Sequence, residues 1–233
     1  MWEGRFEFGD GWAVYRGRTD VNSPHRHAAI QIAAGVDCGI AMRSRESEIN
    51  ARVVAVPSMV PHEFLRANGD VVAFYIEAES PLGRVLRRRI GDEIAELPEN
   101  LAMALSAVEP ENAIAALSEF LDIGRPEAPD LRLSAALSFL RAREGDGSAI
   151  GAAAKAAGLS APRLRELARA ELGIALSQWL LWQKLGRASR AVAAGTSLAD
   201  AAAAGGFADQ AHFARTMRRM FGVTPRVAAE TLM

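Results

Sequence analysis

Apolar and polar residues alternate in short runs over the first third of the chain. A two-residue period places successive side chains on opposite faces of a strand, so each run predicts a strand with one buried face. Gly, Pro, Asn and Asp separate the runs and indicate turns. The runs are Phe6–Phe8, Trp12–Tyr15, Ala28–Ile32, Arg52–Val56 and Val71–Glu77. They predict six to eight strands, which we expect to form a small β-barrel over about residues 1–80.

The period becomes helical after Pro81, where apolar residues recur every three or four positions. This pattern predicts two or three helices over about residues 81–123. Two prolines in Gly124–Pro129 then break the helical pattern. The fold class is therefore α+β, with a barrel and helices followed by an all-α domain. The predicted parts are a first domain of residues 1–124, a linker of residues 125–130 and a second domain of residues 131–233.

The last third of the chain contains the most regular helical pattern. Asp209 is a good N-cap, because its carboxylate accepts hydrogen bonds from the first free backbone N–H groups of a helix. Four apolar residues then share one face at helical spacing, and Gly222 supplies a left-handed stop. These four are Phe213, Met217, Met220 and Phe221. The pattern predicts a capped helix with one buried face.

The other faces of this helix carry polar and small residues. Small side chains such as Ala211 let a helix lie deep in a major groove, while Arg and Gln side chains reach the base edges. We therefore predict that Gln210 and Arg215 read bases. Arg218 and Arg219 lie at the far end of the helix, where we expect them to contact phosphates.

A similar unit precedes it. Ala153–Ala157 predicts a small-residue helix, Gly158 a turn, and Ser160 the N-cap of a helix over Ala161–Glu171. Its basic side chains are candidates for base or phosphate contacts. They are Arg163, Arg165 and Arg169.

An amphipathic stretch over Leu176–Ala194 joins the two units. At 1.5 Å per residue it spans about 25–30 Å, which could set two recognition helices about one DNA turn apart. The predicted all-α domain thus has two helix-turn-helix units joined by a long helix.

Residues from about 130 to 233 resemble the DNA-binding domain of AraC/XylS-type bacterial transcription regulators. The residues that carry the resemblance are Ala157–Ser160, Leu164, Gly173, Leu185, Ala188, Ser197–Ala202, Gly206–Phe207, Asp209–Phe213, Arg215, Arg218, Phe221–Gly222 and Thr224–Pro225. The first unit departs from the family pattern at Glu166 and Ala168. The resemblance implies a sequence-specific regulator with double-stranded DNA as its partner. It also implies a small effector, RNA polymerase and a second copy of the chain as further partners.

The net charge also changes sign near residue 130, at the predicted domain boundary. Residues 1–129 hold 13 Lys and Arg against 20 Asp and Glu, a net charge of −7. Residues 130–233 hold 14 against 8, a net charge of +6. A basic surface is the electrostatic signature of phosphate binding, so the second half is the expected DNA surface.

Three of the four histidines lie in the first half. His25, His27 and Gln31 fall on one face if this segment is a strand, and His62 follows Pro61 at the expected start of a later strand. This spacing resembles the ligand pattern of metal cupins, with Gln31 in place of the usual Glu. The predicted barrel and helices resemble the cupin-like sensor half of AraC-type regulators. We expect the cluster within it to be either a divalent metal site or a polar patch that binds an effector or hydrogen-bonds internally.

The remaining composition limits the classes of function. The single cysteine, Cys38, excludes a disulfide framework, and neither an 18-residue apolar run nor an N-terminal leader is visible. These features favour a cytoplasmic protein without a membrane partner. The main hypothesis is a regulator and not an enzyme; the alternative is a metal-dependent cupin enzyme with a helical appendage. A third hypothesis, an architectural DNA binder without an effector, predicts that isolated residues 130–233 bind DNA as tightly as the whole chain.

Overall fold

The structure is a computed structural model. It describes residues 3–45, 47–106, 109–122, 128–143 and 149–225. The chain forms two compact units, of which the first comprises Met1–Pro126 together with Met217–Met233 and the second comprises Glu127–Thr216. Residues 125–127 of the predicted linker and 226–233 of the predicted second domain lie outside the described residues.

The first unit contains two antiparallel sheets. Its strands are β1 (Glu3–Gly9), β2 (Trp12–Arg18), β3 (Ile30–Gly35), β4 (Ile40–Ser44), β5 (Glu48–Ala51), β6 (Val53–Val56), β7 (His62–Ala67), β8 (Asp70–Ile76) and the short β9 (Ala95–Glu96). The larger sheet has the order β1-β2-β8-β3-β6-β9 and the smaller sheet the order β5-β4-β7. The predicted six to eight strands are confirmed, since eight of these strands, β1 to β8, lie before residue 80.

Strand β3 lies in the middle of the larger sheet, and all six of its residues are buried. Ile30 and Ile32 pack into a core with apolar residues of three helices, while Gln31 lies on the opposite face. The helices are α1 (Pro81–Ile90), α2 (Asn100–Ser106) and α3 (Pro110–Phe120). These confirm the helices predicted after Pro81. Helix α1 begins there because the Ser80 hydroxyl accepts a hydrogen bond from the Gly83 amide at 2.9 Å.

The second unit is helical. Its elements are α4 (Leu131–Ala142), α5 (Ile150–Ala156), α6 (Ala161–Leu172), α7 (Leu176–Ala193), α8 (Leu198–Ala204) and the start of α9 (Gln210–Phe221). Ser160 caps α6 as expected, and Gly173 ends it in the left-handed region at φ 73°. Trp179, Trp182 and Leu185 of α7 are buried and form part of the core. No helix within the described residues is long and apolar enough to cross a membrane.

Candidate nucleic-acid interface and histidine cluster

Helix α9 begins where the sequence predicts. The Asp209 carboxylate accepts a hydrogen bond from the His212 amide, and Gly222 follows the helix at φ 71°. On the inner face Phe213 is fully buried, and its ring lies 5.3 Å from the ring of Phe207. Met217 and Met220 are also buried. The predicted buried face of α9 is therefore confirmed at these three residues, while Phe221, the fourth, is only partly buried.

The predicted DNA-contacting side chains of α9 are exposed. They are Gln210, Arg215, Arg218 and Arg219. The base and phosphate contacts themselves stay predictions. Exposure of all four groups nevertheless meets the first physical requirement for such contacts.

The predicted basic residues of α6 are exposed as well. They are Arg163, Arg165 and Arg169. The Arg163 guanidinium lies 3.1 Å from the Glu166 carboxylate, and both groups are more than half exposed. Such a pair contributes little to stability in water, so a phosphate can replace Glu166 at low cost. Glu166 still lowers the positive charge of this helix, consistent with its departure from the family pattern.

The turn between α8 and α9 is held tightly against α7. The Lys184 ammonium donates to the Gly206 carbonyl at 3.0 Å, and the Arg187 guanidinium donates to the Gly205 carbonyl at 3.2 Å. A Cβ at Gly205 would lie 2.8 Å from the Cβ of Ala188, which is closer than real Cβ contacts. Because Gly205 has no Cβ, the second helix-turn-helix unit can pack closely on the connecting helix.

The structure brings His25, His27 and His62 together, but not on one strand. Strand β3 begins only at Ile30, so the expectation that His25 and His27 lie on a strand with Gln31 is wrong. His25 instead forms a bridge with His62 through two backbone hydrogen bonds of 2.9 Å. This long-range pairing joins the segment before β3 to the start of β7 in the smaller sheet.

The side chains of the cluster still converge. One ligand atom from each histidine lies within 4.8 Å of the others. The Gln31 amide oxygen lies 3.1 Å from Nε2 of His27 and 3.2 Å from Nε2 of His62. All three rings are buried. Burial lowers the pKa of His25 to about 3 and also lowers the pKa of His27 and His62, so the rings are neutral at pH 7.

A cavity of about 560 Å³ lies beside this cluster, and all of its lining residues belong to the first unit. Its lining residues include His25, His62, Arg26, Arg43, Arg45, Glu63 and Arg219. Arg43 pairs with Glu63 and Glu48 at 3.1 Å each. Within the described residues the other three arginines form no ion pair, so the cavity wall is positively charged.

The sequence interpretation missed Arg26, Arg43 and Arg45 as site residues. Arg43 lies in β4 and Arg45 directly follows its last residue, and this two-residue spacing was the available signal for a shared face. Arg219, predicted as a phosphate contact, lies at the cavity as well. Its backbone carbonyl accepts a hydrogen bond from the Arg26 amide at 3.4 Å.

Comparisons with known proteins agree with the geometry of the helical half. The sequence model for a helix-turn-helix domain matches residues 153–230, within the part of the chain whose sequence resembles the AraC type. No curated protein matches the sequence.

Solved structures of ToxT from Vibrio cholerae match nearly the whole chain. A single-residue variant of apo ToxT from strain SCE256 is 12% identical, with a TM-score of 0.67, and the match covers 97% of this chain and 100% of ToxT. ToxT bound to an unsaturated fatty acid is 10% identical, with a TM-score of 0.65 and coverage of 100% and 98%. ToxT bound to (E)-4-(8-methylnaphthalen-1-yl)but-3-enoic acid is 12% identical, with a TM-score of 0.64 and coverage of 98% and 100%. At these identities the likeness shows the fold, which confirms the sheet domain followed by a helical domain.

Proposed function

We propose that the protein is a sequence-specific transcription regulator whose first unit responds to a small organic effector. The observation that carries the proposal is helix α9 within the AraC-type domain. Its apolar face is buried, while the side chains of Gln210 and Arg215 are exposed at its N-terminal half. A recognition helix places residues of this region against base edges in the major groove.

Selection of random duplex DNA by the full-length protein tests the DNA-binding function. We expect a two-part motif with its halves about one helical turn apart, because α6 and α9 each present an exposed polar face. Titration of the selected site at several salt concentrations should show log affinity falling linearly with log salt. Replacing Arg5, an exposed residue of β1 that pairs with Glu7, is the matched control and should leave the salt slope unchanged. Recovery of no motif would contradict the proposal.

We propose a small carboxylic acid as the effector class. Arg26, Arg45 and Arg219 give the cavity a positive wall, and guanidinium groups bind carboxylates through paired hydrogen bonds. The volume of about 560 Å³ is in the range of small-molecule sites. The two ToxT complexes described above contain a fatty acid and an arylbutenoic acid, both of which are carboxylic acids.

Calorimetric titration with straight-chain carboxylic acids of increasing length tests this class. We expect Arg26→Ala to weaken binding by about tenfold or more, since it removes a charge-assisted hydrogen bond. Arg5→Ala should bind as the wild type does, and the corresponding neutral alcohols should bind far more weakly. Equal affinity for acid and alcohol would refute a carboxylate effector.

Helix α9 offers a route from the effector to DNA. A ligand shifts a conformational equilibrium only through its different affinity for the two states. Arg219 belongs to α9 and lines the cavity, so a bound carboxylate that contacts Arg219 would stabilise one position of this helix end. DNA affinity should then change with carboxylate concentration, and Arg26→Ala should abolish that change without altering DNA affinity in the absence of the acid.

The expected contacts with RNA polymerase and with a second copy of the chain belong to the same proposal. Analytical ultracentrifugation of the protein on its selected site counts the copies bound. Two copies on a site with inverted repeats would support a homodimer, and one copy on a direct repeat would refute it.

A further inference from the structure

We propose that His25, His27 and His62 bind a divalent transition-metal ion, with the amide oxygen of Gln31 as a fourth ligand. This inference goes beyond the proposed function, because it concerns a metal site that neither DNA binding nor the carboxylate cavity requires. It rests on the atoms that converge between these four side chains.

The three rings share one orientation, set by the backbone. Nδ1 of His25 lies 3.0 Å from the Ser23 carbonyl, Nδ1 of His27 2.9 Å from that of Ala29, and Nδ1 of His62 2.8 Å from that of Val60. A carbonyl only accepts, so each neutral ring carries its hydrogen on Nδ1 and its lone pair on Nε2. Backbone carbonyls fix the orientation of metal-binding histidines in this same way.

The Nε2 atoms of two of the rings face the same oxygen atom. Those of His27 and His62 both point at the Gln31 amide oxygen, at 3.1 Å and 3.2 Å. Three atoms with lone pairs thus face one another in a buried space. A cation would convert these repulsions into coordination bonds. The competing arrangement is an amide rotated by 180°, in which the Gln31 NH₂ group donates to both rings and no ion is needed.

The geometry requires only a small contraction. Four ligands at about 2.1 Å in a tetrahedron lie about 3.4 Å apart, compared with ligand atoms within 4.8 Å of one another here. Rotation of the side chains can close this difference, and two backbone hydrogen bonds already hold His25 beside His62. Three imidazoles and one oxygen favour Zn²⁺, Co²⁺ or Ni²⁺ over Mg²⁺ or Ca²⁺, which prefer oxygen ligands.

The charge of the site gives the ion a second role. All four proposed ligands are neutral, so a bound divalent ion would keep both of its positive charges. His25 and His62 also line the cavity, which provides the ion with a path to solvent. We therefore expect the bound ion to face the cavity and to attract a carboxylate there. This second role rests on the proposed effector class, whereas metal binding itself does not.

Titration of tag-free, chelator-treated full-length protein with Co²⁺ tests metal binding, because tetrahedral Co²⁺ with nitrogen ligands has visible absorption bands. We expect one ion per chain by absorption and by elemental analysis after dialysis with Zn²⁺. His27→Ala should lower the affinity by about 100-fold or more, since one ligand is lost. His212→Ala removes the fourth histidine, which lies outside the cluster, and should bind the ion as the wild type does.

Gln31→Glu tests the site through an expected gain of metal affinity instead of a loss. A carboxylate in this place should tighten Zn²⁺ and Co²⁺ binding by about tenfold or more, because it neutralises one charge of the ion. Absence of a cobalt spectrum in the wild type, or equal affinity in wild type, His27→Ala and His212→Ala, would overturn the metal site. Unchanged or weaker affinity in Gln31→Glu would overturn the assignment of Gln31 as a ligand.

Addition of a straight-chain carboxylic acid to the Co²⁺-loaded protein tests the second role. A shift of the visible bands supports a carboxylate at the ion, and unchanged bands refute it. The calorimetric titration described above, repeated on metal-free protein, tests the effector class separately. Failure of the metal site therefore leaves the DNA-binding proposal intact and can be distinguished from it.

Discussion

Gly205 offers a test of how the second helix-turn-helix unit packs on α7. Its backbone has φ −75° and ψ −11°, which any residue adopts, so Gly205→Ala introduces no backbone strain. The added Cβ would lie 2.8 Å from the Cβ of Ala188 and 2.9 Å from the Lys184 carbonyl oxygen. Neither atom is the end of a flexible side chain. The turn must therefore move away from α7.

The magnitude follows from two opposing terms. Overpacking by one methyl group costs about 1–3 kcal/mol, while replacing glycine by alanine restricts the unfolded chain and returns about 0.4–1 kcal/mol. We expect Gly205→Ala to lower the free energy of unfolding of the second unit by about 1–2 kcal/mol. The same substitution at Gly186, within α7, meets only the end of the Arg190 guanidinium at 3.4 Å. Gly186→Ala should therefore raise this free energy by up to about 1 kcal/mol.

Urea unfolding of the full-length variants, followed by tryptophan fluorescence, measures both changes, since Trp179 and Trp182 report on α7. Because the chain has two compact units, transitions are assigned with a second probe before free energies are extracted. Equal effects of Gly205→Ala and Gly186→Ala on the midpoint would refute the close approach between the turn and α7.

Three further predictions concern DNA binding and the histidine cluster. Arg215→Ala should cost about 1–3 kcal/mol in specific binding and relax preference at one base pair, as measured by selection with the variant; an unchanged ratio of specific to random affinity contradicts base reading. Phe213→Ala removes a fully buried ring and should lower the unfolding free energy by about 3–5 kcal/mol, as measured in urea; a loss below about 1 kcal/mol contradicts its core position. For metal-free protein, the lowered pKa of His25, about 3, means that the unfolded chain takes up a proton that the folded chain does not. The contribution of neutral His25 to the free energy of unfolding is therefore complete above about pH 6.5, and the loss due to His25 alone is about 2 kcal/mol between about pH 7 and pH 5. The unfolding midpoint in urea measures this loss, and equal midpoints of wild type and His25→Gln across this range would contradict it.

Sequence predicted the helical half well, because its signals are local. Asp209, Ser160 and Gly222 are helix caps whose partners lie within a few residues, so their types alone predict where helices begin and end. The spacing from Phe213 to Met220 likewise depends only on the 3.6-residue period.

The first unit was harder to predict, because its site depends on long-range pairing. Period-two reasoning grouped His25 and His27 with Gln31, and the resemblance to metal cupins added His62. The side chains do converge, but His25 and His27 lie outside the strand, which begins only at Ile30. The bridge between His25 and His62 joins residues 37 positions apart, and no local pattern encodes it. The cavity was missed for the same reason, since its residues Arg26, Arg43 and Arg219 come from separate parts of the chain.

The C-terminal end of α9 shares hydrogen bonds with the segment before β3 inside the first unit. The Asn22 amide group donates to the Phe221 carbonyl at 3.3 Å, and the backbone amides of Ser23 and Arg26 donate to the Gly222 and Arg219 carbonyls. A fragment cut at the linker would leave these three acceptors to water and uncover the Phe221 ring, which lies 5.3 Å from that of Tyr75. The isolated helical half would therefore have a differently terminated recognition helix. Its affinity for DNA should be compared with that of full-length protein carrying Asn22→Ala, not with that of the wild type alone.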